Sequence, residues 1–198
     1  MDELTLLADL PPLIDWFNHA LHGRITTVRR NELTLVISIE CEHPIKHDWL
    51  HCSIECSGVA EAQVTPDALE EISAVTEHPL LLSYHEPQFF LHFNTAPSSA
   101  EAVIGRLYLA HHAILADWRS FEHFFNPMNL QKLLQGGVGM LANGPESVMV
   151  GYRDAVADHM NVYLNSCSNP IAKSLQVLLF NDADYVVCQN YRVTVSLA

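Results

Sequence analysis

The chain has 198 residues, of which 49% are hydrophobic and 17% are charged. This balance is the opposite of that of a disordered chain, and the length is sufficient for a sizeable buried core. With 10 Lys and Arg against 23 Asp and Glu, the formal net charge is −13. Nucleic acid and anionic membrane surfaces are therefore disfavoured as partners, because binding to either needs clustered cations.

The sequence favours a cytoplasmic location. The segment Met1 to Thr5 carries no basic residue and precedes no secretory cleavage pattern. No apolar run reaches the roughly 20 residues that cross a bilayer. The five cysteines are odd in number and have no repeated spacing, as is typical of reduced thiols. We therefore expect a soluble, cytoplasmic protein that does not associate with membranes.

The first part of the chain predicts one helix and then strands. A Pro-Pro pair opens an amphipathic helix over Leu13 to His22. Two runs with a period of two, Arg24 to Arg29 and Glu32 to Cys41, flank a turn at Arg30-Asn31 and predict a hairpin. The same alternation predicts a strand over Trp49 to Ser57.

The middle of the chain predicts further helices and a second hairpin. Thr65 followed by Pro and Asp predicts a helix that runs to about Val75. Pro79 to His85 and Gln88 to Asn94 predict a hairpin around Glu86-Pro87. The letters Ser98 to Glu101 match a capping box, which predicts a long helix reaching Phe125.

The last part of the chain predicts two helices and two strands. Asn126-Pro127 begins a helix that ends near Gln135, and Asn143 to Glu146 begins another that includes Met160. Strands are predicted over Leu175 to Phe180 and Tyr185 to Val195.

This order of elements predicts an α+β fold. We expect a mainly antiparallel sheet, built from N-terminal hairpins and a C-terminal hairpin, packed against a central helical block. Since strands lie before and after the helices, the two ends of the chain are expected to share one sheet. The sequence has no internal repeat and no low-complexity linker, so we expect residues 1–198 to form a single domain.

The densest set of possible metal ligands lies between the second and third predicted strands. Its members are Cys41, His43, His47, His51, Cys52 and Cys56. Thiolate and imidazole are the donors that zinc prefers, but zinc knuckles need closely paired cysteines in a turn. The alternation of the strands instead places the three cysteines among apolar neighbours, where they act as small core residues.

A second set of possible ligands lies on the first predicted helix. Asp15, His19 and His22 share one helical face, and with His43 or His47 they could hold a divalent metal. The alternative is that they form the polar side of an amphipathic helix. No other cofactor is expected.

Three further features of the sequence bear on catalysis or ligand binding. His111, on the long helix, is expected to be buried and hydrogen-bonded to an acid. Gly137 to Ala142 has the letters of a dinucleotide fingerprint, but a helix precedes it where a strand is required. Cys167, in a polar segment predicted as a loop, is the cysteine most exposed to reaction.

The charge imbalance and the lack of a catalytic motif favour a non-enzymatic, acidic protein-interaction or regulatory domain of adaptor or immunity type. It would bind a protein partner or associate with itself. One alternative is a metal-dependent hydrolase that uses the histidines and carboxylates. Another is a small-molecule pocket lined by Tyr84, Phe89, Trp118 and Phe121, although buried aromatic residues more often serve packing.

Overall fold

The computed structural model describes residues 22–42, 49–125, 129–168, 174–181 and 183–197. Over these residues the chain forms 12 strands, in antiparallel sheets, and 4 α-helices. The predicted α+β class with antiparallel sheets is therefore confirmed. Contacts between Cα atoms divide the chain into a terminal unit, Met1–His78 with Ser174–Ala198, and a central unit, Pro79–Lys173. The single domain and the packing of helices on the hairpin sheet stay predictions.

The terminal unit is built of strands. Their bounds are β1 Gly23–Arg30, β2 Thr34–Glu42, β3 Trp49–Ser57, β4 Glu61–Gln63, β5 Ala68–Leu69, β6 Ile72–Val75, β10 Gln176–Phe180, β11 Asp184–Cys188 and β12 Asn190–Leu197. One sheet has the order β12-β3-β2-β1-β5, and the other has the order β4-β11-β10-β6. The predicted β1–β2 hairpin and the strand β3 are confirmed. The two ends of the chain share a sheet, as expected, because β12 pairs with β3.

The core of the terminal unit lies on the inward faces of these strands. Along β2 and β3 every second side chain is buried, as the period of two predicted. The core includes Ile37, Ile39, Ile54 and the cysteines of both strands, and it continues onto β10 and β11 through Phe180 and Val186. The three cysteines that we assigned to the apolar face are buried there.

The helix predicted from Thr65 to Val75 is wrong, since this segment forms β5 and β6. The groups that would begin a helix bind distant partners instead. The backbone N–H and the hydroxyl of Thr65 both donate to Asp184 Oδ2, each at 3.0 Å. Ile72 is buried, and β6 pairs with β10 over its whole length. Tertiary pairing thus overrides the local helix signal.

The last predicted strand, Tyr185 to Val195, is two strands. The chain leaves the four-stranded sheet after β11 and enters the five-stranded sheet at β12. Between them, the N–H of Gln189 donates to the carbonyl of Ser57 at 3.1 Å. The burial pattern changes at this point, since Tyr185 to Cys188 of β11 are all buried whereas half-buried and exposed residues alternate along β12.

The central unit contains all the described helices. Its elements are a 3₁₀ turn Pro79–Leu81, α1 Leu82–His85, β7 Gln88–Phe93, α2 Ala100–Leu115, a 3₁₀ turn Phe121–Phe124, α3 Leu130–Gln135, β8 Gly139–Pro145, α4 Glu146–Val156 and β9 Val162–Ser168. The sheet has the order β8-β7-β9. None of the described helices combines the length and apolar character needed to span a membrane.

Several boundaries in the central unit differ from the predictions. Pro79 to His85 is helical, so the hairpin predicted there is wrong, and β7 pairs with β8 and β9 instead. The long helix ends ten residues before Phe125, where Ala116 takes a positive φ of 48°. Its cap is Ser99, not Ser98: the Ser99 hydroxyl accepts from the N–H of Ala102 at 3.1 Å.

Two strands of the central unit were not predicted. Gly139–Pro145 forms β8, where we expected a helix stop and a connection, and the segment of Cys167 forms β9, where we expected a loop. The helix start at Glu146 is confirmed, but α4 ends at Val156, before Met160. The start predicted at Asn126-Pro127 lies outside the described residues. The unit has a core of its own, which includes Leu91, Phe93, Leu107, Val148 and Tyr152.

Candidate functional site

The predicted metal ligands lie mostly beyond what the structure describes. Asp15, His19, His43 and His47 are outside the described residues. His22 is described, and its carbonyl accepts from the N–H of Glu42 at 3.0 Å. Among the described residues, no three His, Cys, Asp or Glu side chains cluster as metal ligands. The metal site on these five residues stays a prediction.

The buried cysteines form two thiol pairs in the terminal unit. The sulfur atoms of Cys41 and Cys52 are 3.6 Å apart, and Cys56 is hydrogen-bonded to Cys188. The hydrogen bond within each pair, together with burial, raises the pKa of Cys52 and of Cys56 far above the ordinary thiol range, and the same hydrogen bond lowers the pKa of the partner thiols Cys41 and Cys188. At least one thiol of each pair, Cys52 and Cys56, therefore stays protonated at neutral pH.

The outward face of the five-stranded sheet is polar. Arg24 donates to Glu40 Oε2 from Nε at 2.9 Å and from Nη2 at 2.6 Å, and His51 Nδ1 lies 3.7 Å from Glu40 Oε1. The cross-strand register continues this row to Ser196 of β12. His51 of the predicted zinc cluster is thus a surface residue beside a carboxylate. Exposed ion pairs of this kind add little stability.

The first residues of β12 form a cleft together with the last residues of β3. The cleft has a volume of about 250 Å³ and is lined by Glu55, Ser57, Asn190, Tyr191 and Arg192. It has one acidic and one basic side chain, and the rest of its lining is amide, hydroxyl and phenol. It therefore offers hydrogen-bonding groups at the margin of the sheet and lacks a nucleophile with an adjacent base.

The outer edge of β12 has no partner strand among the described residues. In an antiparallel pair, alternate residues point their N–H and C=O groups away from the partner strand. An eight-residue strand with one neighbour therefore presents about four such residues to solvent. In the described part of the chain, β12 pairs with β3 alone. The register from Asn190–Ser57 to Leu197–Leu50 has no bulge.

The other sheet edges are short or modified. β5, β4 and β6 have two, three and four residues. β8 carries an antiparallel bridge between Ala142 and Phe125. β9, with seven residues, has a register shift against β7. Natural edge strands are commonly protected by shortness, bulges, Pro or Lys. β12 is eight residues long, has no bulge, Pro or Lys, and carries one charged residue, Arg192.

The side chains of β12 alternate regularly. Tyr191, Val193 and Val195 are half-buried against the core, whereas Arg192 and Thr194 are exposed on the outward face. Burial raises the pKa of Tyr191. The strand itself was predicted from its β-branched residues, but its edge position was not, because the order of strands in a sheet cannot be read from one strand.

His111 lies in the core of the central unit, as predicted, but its partner is not an acid. Nδ1 is 2.6 Å from the Tyr152 hydroxyl, and Nε2 is 2.8 Å from the carbonyl of Arg119. Phe121 and Phe124 lie against the ring. Burial raises the pKa of the Tyr152 phenol. The group joins α2, α4 and the segment between them, and it is buried, since His111 is only 2% exposed.

The aromatic residues proposed for a pocket are half-buried. Phe121 packs against Tyr108, with ring centroids 5.5 Å apart, and against Phe125 at 4.6 Å. A different aromatic surface lies on the three-stranded sheet, where the rings of His92 and Tyr163 stack at 5.5 Å. That surface was not predicted because it needs β9. The small-molecule pocket stays a prediction.

No protein family model matches this sequence, and no curated protein or solved structure is significantly similar to it. The function must therefore be inferred from the chain's own residues. Of the surfaces described above, the edge of β12 has the clearest capacity for binding, since its backbone groups are ready to pair with another strand.

Proposed function

We propose that this protein is a non-enzymatic, acidic protein-interaction domain that binds its partner by adding a strand to the open edge of β12. The observation that carries this proposal is the long and regular edge of that strand, which no other strand of the described residues covers. Strand addition takes its affinity from backbone hydrogen bonds and its specificity from alternate side chains. The exposed Arg192 would supply part of that specificity.

Charge supports a protein partner over a nucleic acid. The net charge of −13 repels a phosphate backbone. β12 itself carries a single charged residue, Arg192, so an incoming strand meets little like-charge repulsion at the edge. Each new backbone hydrogen bond is expected to contribute about 0.5–1.5 kcal/mol, so a strand of moderate length can bind with useful affinity.

Proline substitution tests the edge directly. Because N–H directions alternate along the strand, one of Val193→Pro and Thr194→Pro removes an N–H that faces β3, and the other removes one that faces solvent. The second variant is identified by its wild-type-like thermal unfolding. We expect it to lose at least about tenfold in affinity for any partner, a difference of about 1.4 kcal/mol.

The control is Thr194→Ala, which shortens the side chain and keeps the backbone N–H. Binding is measured as self-association by sedimentation and as specific capture of proteins from a host lysate, with all variants in parallel. Binding that is equal in wild type and in the folded proline variant contradicts the proposal. A wild-type chain that is monomeric and captures nothing also contradicts it.

A further inference from the structure

We infer that the strand added to β12 is β12 of a second copy of this chain, paired antiparallel about a twofold axis at Thr194. The inference rests on the proposed function, and it names the partner. An isologous contact needs a surface that complements itself. The register, the side-chain faces and the charges of β12 provide such a surface.

The first constraint is the face of the sheet. Residues directly opposite each other in an antiparallel pair point to the same side. For both apolar layers to stay on one side of the joined sheet, an inward residue must face an inward residue. A one-residue slip would bring inward and outward residues together. The twofold axis must therefore set one residue of β12 opposite the same residue of the second copy, and not opposite its sequence neighbour.

The second constraint is charge. An axis at Arg192 would set two guanidinium groups directly opposite each other, which is destabilising. An axis at Val193 would leave these two groups as diagonal neighbours. An axis at Thr194 places Arg192 of each copy opposite Ser196 of the other and separates the two cations further. It also pairs the exposed Thr194 with itself.

The third constraint is continuity of the apolar layer. With the axis at Thr194, Val193 of one copy faces Val195 of the other. Both are half-buried against the core of their own unit. Each of these valines thus gains a β-branched neighbour across the new strand pair. Pairs of this kind stabilise antiparallel sheets. The two five-stranded sheets then join as one.

Salt dependence separates this partner from a basic protein. Each copy carries a net charge of −13, so two copies repel at long range and their association is expected to strengthen as NaCl rises. A complex with a basic protein is expected to weaken under the same change. Sedimentation equilibrium of the full chain at low and high NaCl shows whether self-association strengthens or weakens as the salt concentration rises.

Cross-linking tests the register. In a Cys167→Ser background, Thr194→Cys is expected to form an intermolecular disulfide in oxidised glutathione, while two thiols of the protein are oxidised and glutathione disulfide is reduced to two thiols. Arg192→Cys is the matched control, because its two copies are offset across the pair and are expected to cross-link far less. Equal cross-linking at both positions overturns the register.

A charge substitution tests the interface in solution. Thr194→Lys places two ammonium groups opposite each other on an exposed position, and like charges at an interface cost several kcal/mol. We expect the dimer to weaken by at least about tenfold, whereas Leu33→Lys, which adds the same charge at an exposed position in the β1–β2 turn, keeps it. A dimer that survives Thr194→Lys and does not cross-link at position 194 overturns the inference.

The two proposals fail in different ways. A wild-type chain that stays monomeric at every salt concentration overturns the second copy as partner. If such a chain still captures another protein through an edge that proline blocks, the proposed function stands. If it captures nothing, both proposals fail.

Discussion

The hydrogen bonds of His111 determine its tautomer. The carbonyl of Arg119 can only accept, so Nε2, at 2.8 Å, carries the proton. Nδ1 then accepts from the Tyr152 hydroxyl at 2.6 Å. In this arrangement both ring nitrogens of His111 and the hydroxyl of Tyr152 take part in a hydrogen bond. The pair is a satisfied hydrogen-bond network within the core of the central unit.

Tyr152→Phe tests this arrangement. The change removes the donor to Nδ1 and leaves a buried acceptor without a partner, so we expect a loss of about 1–3 kcal/mol in the free energy of unfolding. Urea denaturation measures the loss. Tyr163→Phe, at a position that is 43% exposed, is the control and is expected to change stability by less than about 0.5 kcal/mol. Equal losses in the two variants would contradict the network.

The buried thiol pairs predict a loss of stability in alkali. Above the ordinary thiol pKa of 9.0 the unfolded chain loses its thiol protons, whereas the raised pKa values of Cys52 and Cys56 keep one proton on each folded pair. The folded state then binds more protons, so stability falls as pH rises. The slope is up to about 1.4 kcal/mol per pH unit for each retained proton.

The double variant Cys41→Ala with Cys52→Ala removes one of the two pairs. Its unfolding free energy, measured by urea denaturation from neutral pH to above pH 9.0, is expected to fall less steeply than that of the wild type. Cys167→Ala, outside the core, is expected to leave the slope unchanged. If the double variant keeps the wild-type slope, the thiols do not hold protons as described.

At the scale of elements, Asn181 organises the connection between β5 and β6. Its Oδ1 accepts from the N–H groups of Glu70 and Glu71, at 2.8 and 3.2 Å, and its Nδ2 donates to the carbonyl of Ala68 at 2.8 Å. Asn181 also has a positive φ of 56°, which Asn tolerates better than most residues. One side chain thus holds the segment that we had predicted to be helical.

Replacement of Asn181 separates these two contributions. Asn181→Gly keeps the backbone conformation but loses the three hydrogen bonds, and we expect it to cost about 1–3 kcal/mol. Asn181→Ala also meets the cost of a positive φ, which adds about 1 kcal/mol or more. Chemical denaturation measures both. The order would be contradicted if the alanine variant were the more stable of the two.

The strands that could be predicted are those whose pattern is local and whose faces differ. β1, β2 and β3 follow the period of two, and the inward residues, such as Ile39 and Cys52, are buried as expected. The segment after Thr65 could not be predicted, because its helix-capping groups bind Asp184, 119 residues away. β8 was not predicted because its glycines indicated a helix stop and a connection. In the structure they lie in a strand that pairs with β7.

In the candidate site, too, features that depend on neighbouring residues were predicted, and features that depend on distant residues were not. The sequence predicted a strand over Tyr185 to Val195, which the structure divides into β11 and β12. That β12 lies at an edge depends on two pairings: β12 pairs with β3, which joins residues more than 100 positions apart, and β3 pairs with β2 on its other side. His111 was predicted to be buried, but its partner Tyr152 comes from a helix 41 residues away.

At the scale of the whole molecule, the two units differ in how the chain builds them. The terminal unit takes residues from both ends of the sequence, so it cannot form before the last strands are made. The central unit, Pro79–Lys173, is one continuous segment. Its core includes Leu107, Val148 and Tyr152, each fully buried, and all of its strand pairings are internal.

A continuous segment with its own core is expected to fold when it is excised. We therefore expect the fragment 79–173 to unfold cooperatively in urea, with Trp118 as its only tryptophan and hence its fluorescence probe. The matched control is the same fragment with Val148→Asp, which buries an unpaired carboxylate at a fully buried position and is expected to abolish the transition. A gradual response that is the same in both fragments would show that the central unit needs the rest of the chain, and would support the single domain predicted from the sequence.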